Sequence, residues 1–144
     1  MTREQEEQLR LDRQLCFPLY AASRCIVSRY TPLFKPLGIT YTQYLVFMAL
    51  WEKDDVTVGE LGSRLFLDTG TLTPLLKRME QAGHLVRERS SEDERVVRIR
   101  LTDKGRGMRE RCAEIPSQIG SCVSLTEEEA GTLYRILYKI LGRE

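Results

Sequence analysis

Residues 65–105 read LFLDTGTLTPLLKRMEQAGHLVRERSSEDERVVRIRLTDKG. Asp68, Thr69, Thr71 and Thr73 each offer an oxygen able to cap a helix N-terminus. The helix that one of them opens should hold Pro74 near its first turn, where a missing N–H is tolerated. Gly83 suits the turn just past its end. Strand character follows. Val97, Ile99 and Leu101 alternate with Arg98 and Arg100, a period of two. Residues 85–89 can pair with them across the charged turn SSEDE. A helix able to enter the major groove, joined to a hairpin able to reach the next groove, predicts a winged helix-turn-helix.

The polar residues of this stretch suit nucleic acid. Thr69, Thr71, Thr73, Lys77 and Arg78 fall on or near the helix. Short hydroxyls at a helix N-terminus favour phosphate, because unpaired N–H groups and the helix dipole attract anions. Threonine also touches thymine methyls. Arg87, Arg89, Arg98 and Arg100 flank the turn, and Arg95 stands where its tip rejoins the strand. An arginine on a thin hairpin can enter the minor groove, and Asp93 can hold it by a bidentate pair. Taken singly, each feature has a plainer reading: competing caps, a solvated basic face, a surface turn whose ion pairs weigh little. Together they point to double-stranded DNA.

Bulk composition sets limits on this reading. A length of 144 residues predicts one domain, 1–144, and 42% hydrophobic residues is ordinary for a globular chain. The net charge of +1 is low for a DNA binder, so the basic residues must face one way. Residues 60–111 do hold twelve Lys/Arg against nine Asp/Glu. The opening MTREQEEQLRLDRQ is charged and lacks the apolar core of a signal peptide. No apolar run approaches the ~20 residues that span a bilayer. A cytoplasmic protein is expected, with its four cysteines (Cys16, Cys25, Cys112, Cys122) reduced by default. There is no CxxC pair and one histidine, His84, so neither metal-site spacing nor a cofactor motif is present.

Outside the opening stretch the chain reads as helices. One should start near Cys16, with Pro18 in its first turn, and run to about Tyr30, closed by Pro32 and Pro36, with a separate N-terminal arm before it. Thr40-Tyr41-Thr42-Gln43 and Thr57-Val58-Gly59-Glu60 are capping boxes for helices over about 41–53 and 57–66. Thr102 caps a helix through about Ala113, which Pro116 bends or ends. Thr126-Glu127-Glu128-Glu129 opens a last helix with Leu133, Ile136, Leu137, Ile140 and Leu141 on one face. The expected fold is mainly α with a small β-hairpin. A winged-helix DNA-binding lobe spans about 41–101, and helices over about 9–33 and 102–143 serve dimerisation.

The quoted stretch, including Asp93-Glu94-Arg95, resembles the winged helix of MarR-family regulators. The segment LDRQLCFPLYAASRCIVSRYTPLFKPLGITYTQYLVFMALWE resembles one branch, the organic hydroperoxide-sensing repressors of the OhrR type. Together these cover about residues 11–107. The last 35 or so residues match in character only. The resemblance implies a homodimer on a palindromic operator, with the first, fifth and sixth helices of the family interlocked. It implies a reactive cysteine at Cys16, hydrogen-bonded across the dimer by Tyr30 and Tyr41. It also implies an organic hydroperoxide as effector and Cys122 as a candidate resolving thiol, with Cys112 the runner-up.

The residues themselves are compatible with that chemistry. A thiol in a first helical turn meets a positive dipole end and unpaired N–H groups. Leu15, Phe17 and Leu19 would make an apolar surround suited to organic peroxides. The plainer alternative is a buried, inert cysteine. Cys25 lies nine residues on, about 13 Å along a helix and on its opposite side, so it cannot bridge to Cys16 in one chain and is expected to be packed. Two other functions compete: a MarR-type repressor released by a small aromatic ligand, and a thiol peroxidase. The peroxidase reading has only Arg13 and Arg24 near Cys16 to activate peroxide.

Overall fold

The computed structural model describes residues 1–143. Thr2 opens α1, Arg3–Gln8, through a capping box with Gln5, and every residue of α1 is exposed. A 3₁₀ turn, Leu11–Arg13, separates it from α2, Cys16–Phe34. The N-terminal arm is thus partly helical, because Thr2 supplies a cap that the sequence reading overlooked. Pro18 does sit in the first turn of α2. The helix does not stop before Pro32, however. It runs through it to Phe34 and tightens into a 3₁₀ turn, Lys35–Leu37. Proline there removes one hydrogen bond of the last turns. Burial of Phe34 against Tyr30 and Tyr44, with ring centroids 5.3 and 5.0 Å away, offsets that loss.

The capping boxes at Thr40 and Thr57 open α3, Tyr41–Glu52, and α4, Val58–Leu65. Between them lies a two-residue strand that the sequence did not announce, β1, Val56–Thr57. Asp68 is the N-cap of α5, Thr69–Gln81. Pro74 is the sixth residue of α5, in its second turn rather than its first. The carbonyl four residues back loses its donor, yet the helix holds because Leu72, Leu75, Leu76 and Met79 are buried along its inner face. The hairpin follows as β2, Leu85–Arg89, and β3, Val97–Leu101. The sheet is antiparallel in the order β1-β3-β2, with Val56 opposite Ile99 and Arg87 opposite Ile99 on the other side.

Thr102 caps α6, Asp103–Arg111. Pro116 does not bend this helix. It stands in the first turn of a separate helix, α7, Ile115–Gly120. Thr126 then opens α8, Glu127–Ile140, through the expected capping box. A single core, centred on Phe47, Leu50, Leu61, Leu72, Leu76, Met79, Ile99 and Met108, joins α3 to α6 and the sheet. By contrast, α8 buries none of its side chains within the chain, and α2 buries only Phe34.

The junction of α5, β2 and α6 is the tightest point. A Cβ on Gly105 would stand 2.0 Å from the carbonyl oxygen of His84, so only glycine allows the backbones this close. The Trp51 indole donates to the Gly105 carbonyl at 3.1 Å. His84 is buried edge-on to Phe47, and its Nδ1 has no hydrogen-bond partner among the described residues. Burial first, then Lys104 and Arg111, pushes the imidazole pKa below its usual range.

Folded His84 therefore refuses a proton that the unfolded chain accepts at about pH 6.5. Its contribution to stability is full above that pH and falls as pH drops toward the depressed folded-state pKa. As the chain has one histidine, the melting temperature should fall between pH 7 and 5.5, and His84→Leu should flatten that limb. Identical slopes in the two proteins would exclude His84 as the cause.

Candidate nucleic-acid interface and thiol site

Helix α5 offers its outer face to solvent because its inner face is committed to the core. Asp68 fixes its start: the carboxylate accepts from the Thr71 N–H at 2.7 Å and from the Thr71 hydroxyl at 3.2 Å. These bonds, the backbone one foremost, hold the Asp68 pKa below the usual carboxylate range. The Thr73 hydroxyl donates back to the Thr69 carbonyl at 2.8 Å. Thr69, Thr73 and Lys77, spaced four apart, line one wall of a groove of about 560 Å³. Arg87, Arg89 and Arg95 of the hairpin line the facing wall. Arg78 is exposed on α5 outside this groove.

The basic residues of the hairpin divide by what holds them. Arg95 is 90% exposed, yet its guanidinium is paired with both Asp93 oxygens at 3.1 and 3.2 Å. The pair, with the Arg95 N–H, keeps the Asp93 carboxyl below its ordinary range. Arg89 donates to the Glu94 carbonyl at 2.9 Å and steadies the turn. Arg87 differs. It is only 24% exposed and forks onto Glu80 of α5 at 3.0 and 2.9 Å, while its backbone N–H donates to the same carboxylate at 2.9 Å. Arg87 thus braces the hairpin against α5. Sequence reasoning missed Glu80 because nothing in a lone helical glutamate says which strand will lie beside it. Arg98 pairs with Asp55 at 2.9 Å and Arg100 with Glu88 at 2.8 Å, outside the groove.

The thiol residues are spread over a larger area. Cys16 is the first residue of α2, exposed, and no side chain caps that helix end. Leu15, Phe17 and Leu19 around it are exposed as well. Tyr30 and Tyr41 meet, ring centroids 4.9 Å apart. Burial raises both phenol pKa values, and Tyr30 adds to the rise at Tyr41, so both hydroxyls remain donors at neutral pH. Tyr30 stands fourteen residues from Cys16, about 21 Å along the helix, so one chain brings the tyrosines together without the cysteine.

Cys122 follows α7 and is exposed. Its thiol donates to the Gln118 carbonyl at 3.3 Å, and its own carbonyl accepts from Arg29. Arg29 is about 20 Å along α2 from Cys16, so Cys122 lies beside the far half of that helix. Cys112 is buried, and burial pushes its thiol pKa up against the opposing pull of Arg111. Cys25 was expected to be packed. In the chain it is exposed, because its part of α2 buries nothing here. Among the described residues no cluster of His, Cys, Asp or Glu could hold a metal ion.

A reading helix, a braced wing and a basic groove between them define a winged-helix DNA-binding regulator. Residues 28–111 match the family model described as transcriptional regulator SarA/Rot. The chain is 46% identical to the organic hydroperoxide resistance transcriptional regulator of Bacillus subtilis (strain 168), over 94% of this chain and 92% of that protein. It is 40% identical to the reduced AbfR bound to DNA, with a TM-score of 0.79 and 98% of both chains covered. Against disulfide-formed AbfR the identity is 37% and the TM-score 0.66, over 98% of this chain and 99% of that one. The chain belongs to the MarR-type transcriptional regulators, in the branch of the organic hydroperoxide regulators. It is a regulator and not an enzyme.

Arg95 and Glu80 should fail in different ways. Arg95→Ala should weaken DNA binding, lower the log–log salt slope by about one, and leave the melting temperature unchanged. Glu80→Ala should release Arg87 and lower stability by about 1 kcal/mol, with weaker DNA binding as a result. Unchanged DNA affinity in Arg95→Ala would remove that residue from the interface.

Proposed function

We propose that two copies of this chain pair through α2 and the C-terminal helices, repress from a palindromic operator, and leave it when an organic hydroperoxide oxidises Cys16. The placement of Cys16 carries the sensing half of this reading. It opens a 19-residue helix at an end that no side chain caps, so backbone N–H groups are available to the sulfur. An exposed apolar surround, Leu15, Phe17 and Leu19, suits an alkyl peroxide better than hydrogen peroxide. Tyr30 and Tyr41 of the partner subunit complete the site as hydrogen-bond donors. The exposed stripe of Leu133, Ile136 and Ile140 on α8, continued by Leu141 at its end, supports the pairing. No described helix is long and apolar enough to cross a membrane, and a reducing cytoplasm suits four free thiols.

On DNA, Thr69, Thr71, Thr73, Lys77 and Arg78 of α5 face the major groove and its phosphates, and Arg95, set by Asp93 and flanked by Arg89, enters the minor groove. Arg87 serves the interface through its brace. In sensing, the Cys16 thiolate attacks the outer peroxide oxygen. An S–O bond forms, the O–O bond breaks, and the alkoxide takes a proton and leaves as an alcohol. The partner subunit's Cys122 then attacks the sulfenic sulfur. An S–S bond forms, the S–O bond breaks, and hydroxide leaves as water. AbfR, 40% identical in its reduced DNA-bound structure, is also known in a disulfide form. The present backbone lies nearer the reduced, DNA-bound one.

Operator release should follow cumene hydroperoxide more readily than hydrogen peroxide, and should not follow salicylate. Cys16→Ser should stay on DNA throughout. Cys122→Ser should still form the sulfenic acid but lose the slow dimer band on non-reducing gels, while Cys25→Ser behaves as wild type. Release of Cys16→Ser by the peroxide would refute the sensor assignment, and loss of the band only in Cys112→Ser would move the resolving role there.

Light scattering at micromolar concentration should give twice the 16.7 kDa chain mass. A monomer would overturn the paired reading, because two recognition helices must sit about one DNA turn apart.

A further inference from the structure

The end of α8 is aimed. Gly142, at φ +73°, takes the left-handed turn that closes the helix, with its N–H on the Lys139 carbonyl at 3.1 Å and the Arg143 N–H on the Tyr138 carbonyl at 2.9 Å. This double closure sends the chain back across the helix end. It delivers Arg143 to the other end of the DNA-reading lobe's helix pair. The guanidinium donates to the Ser63 carbonyl at 2.6 Å and stands 4.3 Å from the centroid of the Phe66 ring. Phe66 is itself unusual. It is the C-cap of α4 at φ +55°, a conformation that residues with a Cβ rarely adopt, and its large ring is 41% exposed. Neither the turn nor the core calls for an aromatic side chain there. The arginine stacked on it does.

We propose that Arg143 is a positioning residue for DNA reading: it pins the C-terminal helix to the α4–α5 turn and so sets where α5 stands relative to the dimer axis. The inference rests on the paired reading above. Phe66 precedes Thr69, the first residue of α5, by three positions, so whatever holds Phe66 holds the start of the reading helix. Helix α8 buries no side chain in its own chain, and if it pairs with a second copy, Arg143 is its grip on the lobe it carries. Two rigidly placed lobes demand one half-site spacing, and two loosely hung lobes accept several.

The test uses the full-length protein and a palindromic duplex selected from a random pool by the wild type, together with versions lengthened or shortened by one base pair at the centre. Wild type should strongly prefer the selected spacing. Arg143→Ala should lose about tenfold in affinity for that spacing and nothing on the altered ones, a change typical of coupling between sites. Arg143→Lys should restore part of the preference. Phe66→Gly, which relieves the left-handed backbone while removing the ring, should reproduce Arg143→Ala, and the double variant should be no worse than either. Dimer mass should not change in any variant, and the melting temperature should not change in Arg143→Ala. A wild-type spacing preference kept intact in Arg143→Ala, or an equal loss at every spacing, would overturn the pin. Absence of any spacing preference in the wild type would instead refute the paired reading.

Discussion

Everything the outer face of α5 can do depends on the burial of its inner face. Leu72, Leu75, Leu76 and Met79 sink into a core shared with α3, α4 and the sheet. Removing one such side chain typically costs 2–5 kcal/mol, more than any of the polar contacts around it supplies. That margin explains why the helix tolerates a proline in its second turn and a start set by one aspartate. It also explains why the wing can be referenced to α5 by a single side-chain pair, Glu80 with Arg87. A brace transmits position only when one end is anchored, and Met79, next to Glu80, is fully buried.

The sequence was most legible where local chemistry alone decides. The capping boxes at Thr40, Thr57 and Thr126 mark three helix starts, since a hydroxyl and a carboxylate or amide three residues on satisfy the same orphan N–H groups wherever they occur. The alternation of Val97, Ile99 and Leu101 marks a strand for the same local reason. Legibility failed where distant packing overrides a local rule. Pro32 stays inside α2 because Phe34 is held by α3, and Pro74 stays inside α5 because four apolar neighbours are held by the core. Val56 and Thr57 form a strand only because β3 lies beside them. The bidentate Asp93–Arg95 pair was foreseeable from a spacing of two. The Glu80–Arg87 pair was not, because it joins two elements whose approach is set by the turn at Gly83.

Within one chain the residues of the proposed thiol site stand apart. Tyr30 and Tyr41 form a finished pair of donors at one end of α2, and Cys16 waits at the other with apolar neighbours in solvent. The resemblance alone could join them, since no periodicity in a single sequence encodes the placement of a second copy. Cys25 lies on the same helix. A residue expected to be packed is exposed, because its part of α2 buries nothing within this chain.

The ion pairs that hold the wing and sheet have a further effect on how the regulator behaves in a genome. Among the arginines of the sheet, Arg87, Arg98 and Arg100 each face a carboxylate, and the net charge of the chain is +1. Affinity for arbitrary DNA comes from unneutralised cations displacing counterions, and each of these pairs takes one cation of the sheet out of that count. The fewer free cations the sheet presents, the less background attraction holds the protein to DNA that does not fit it.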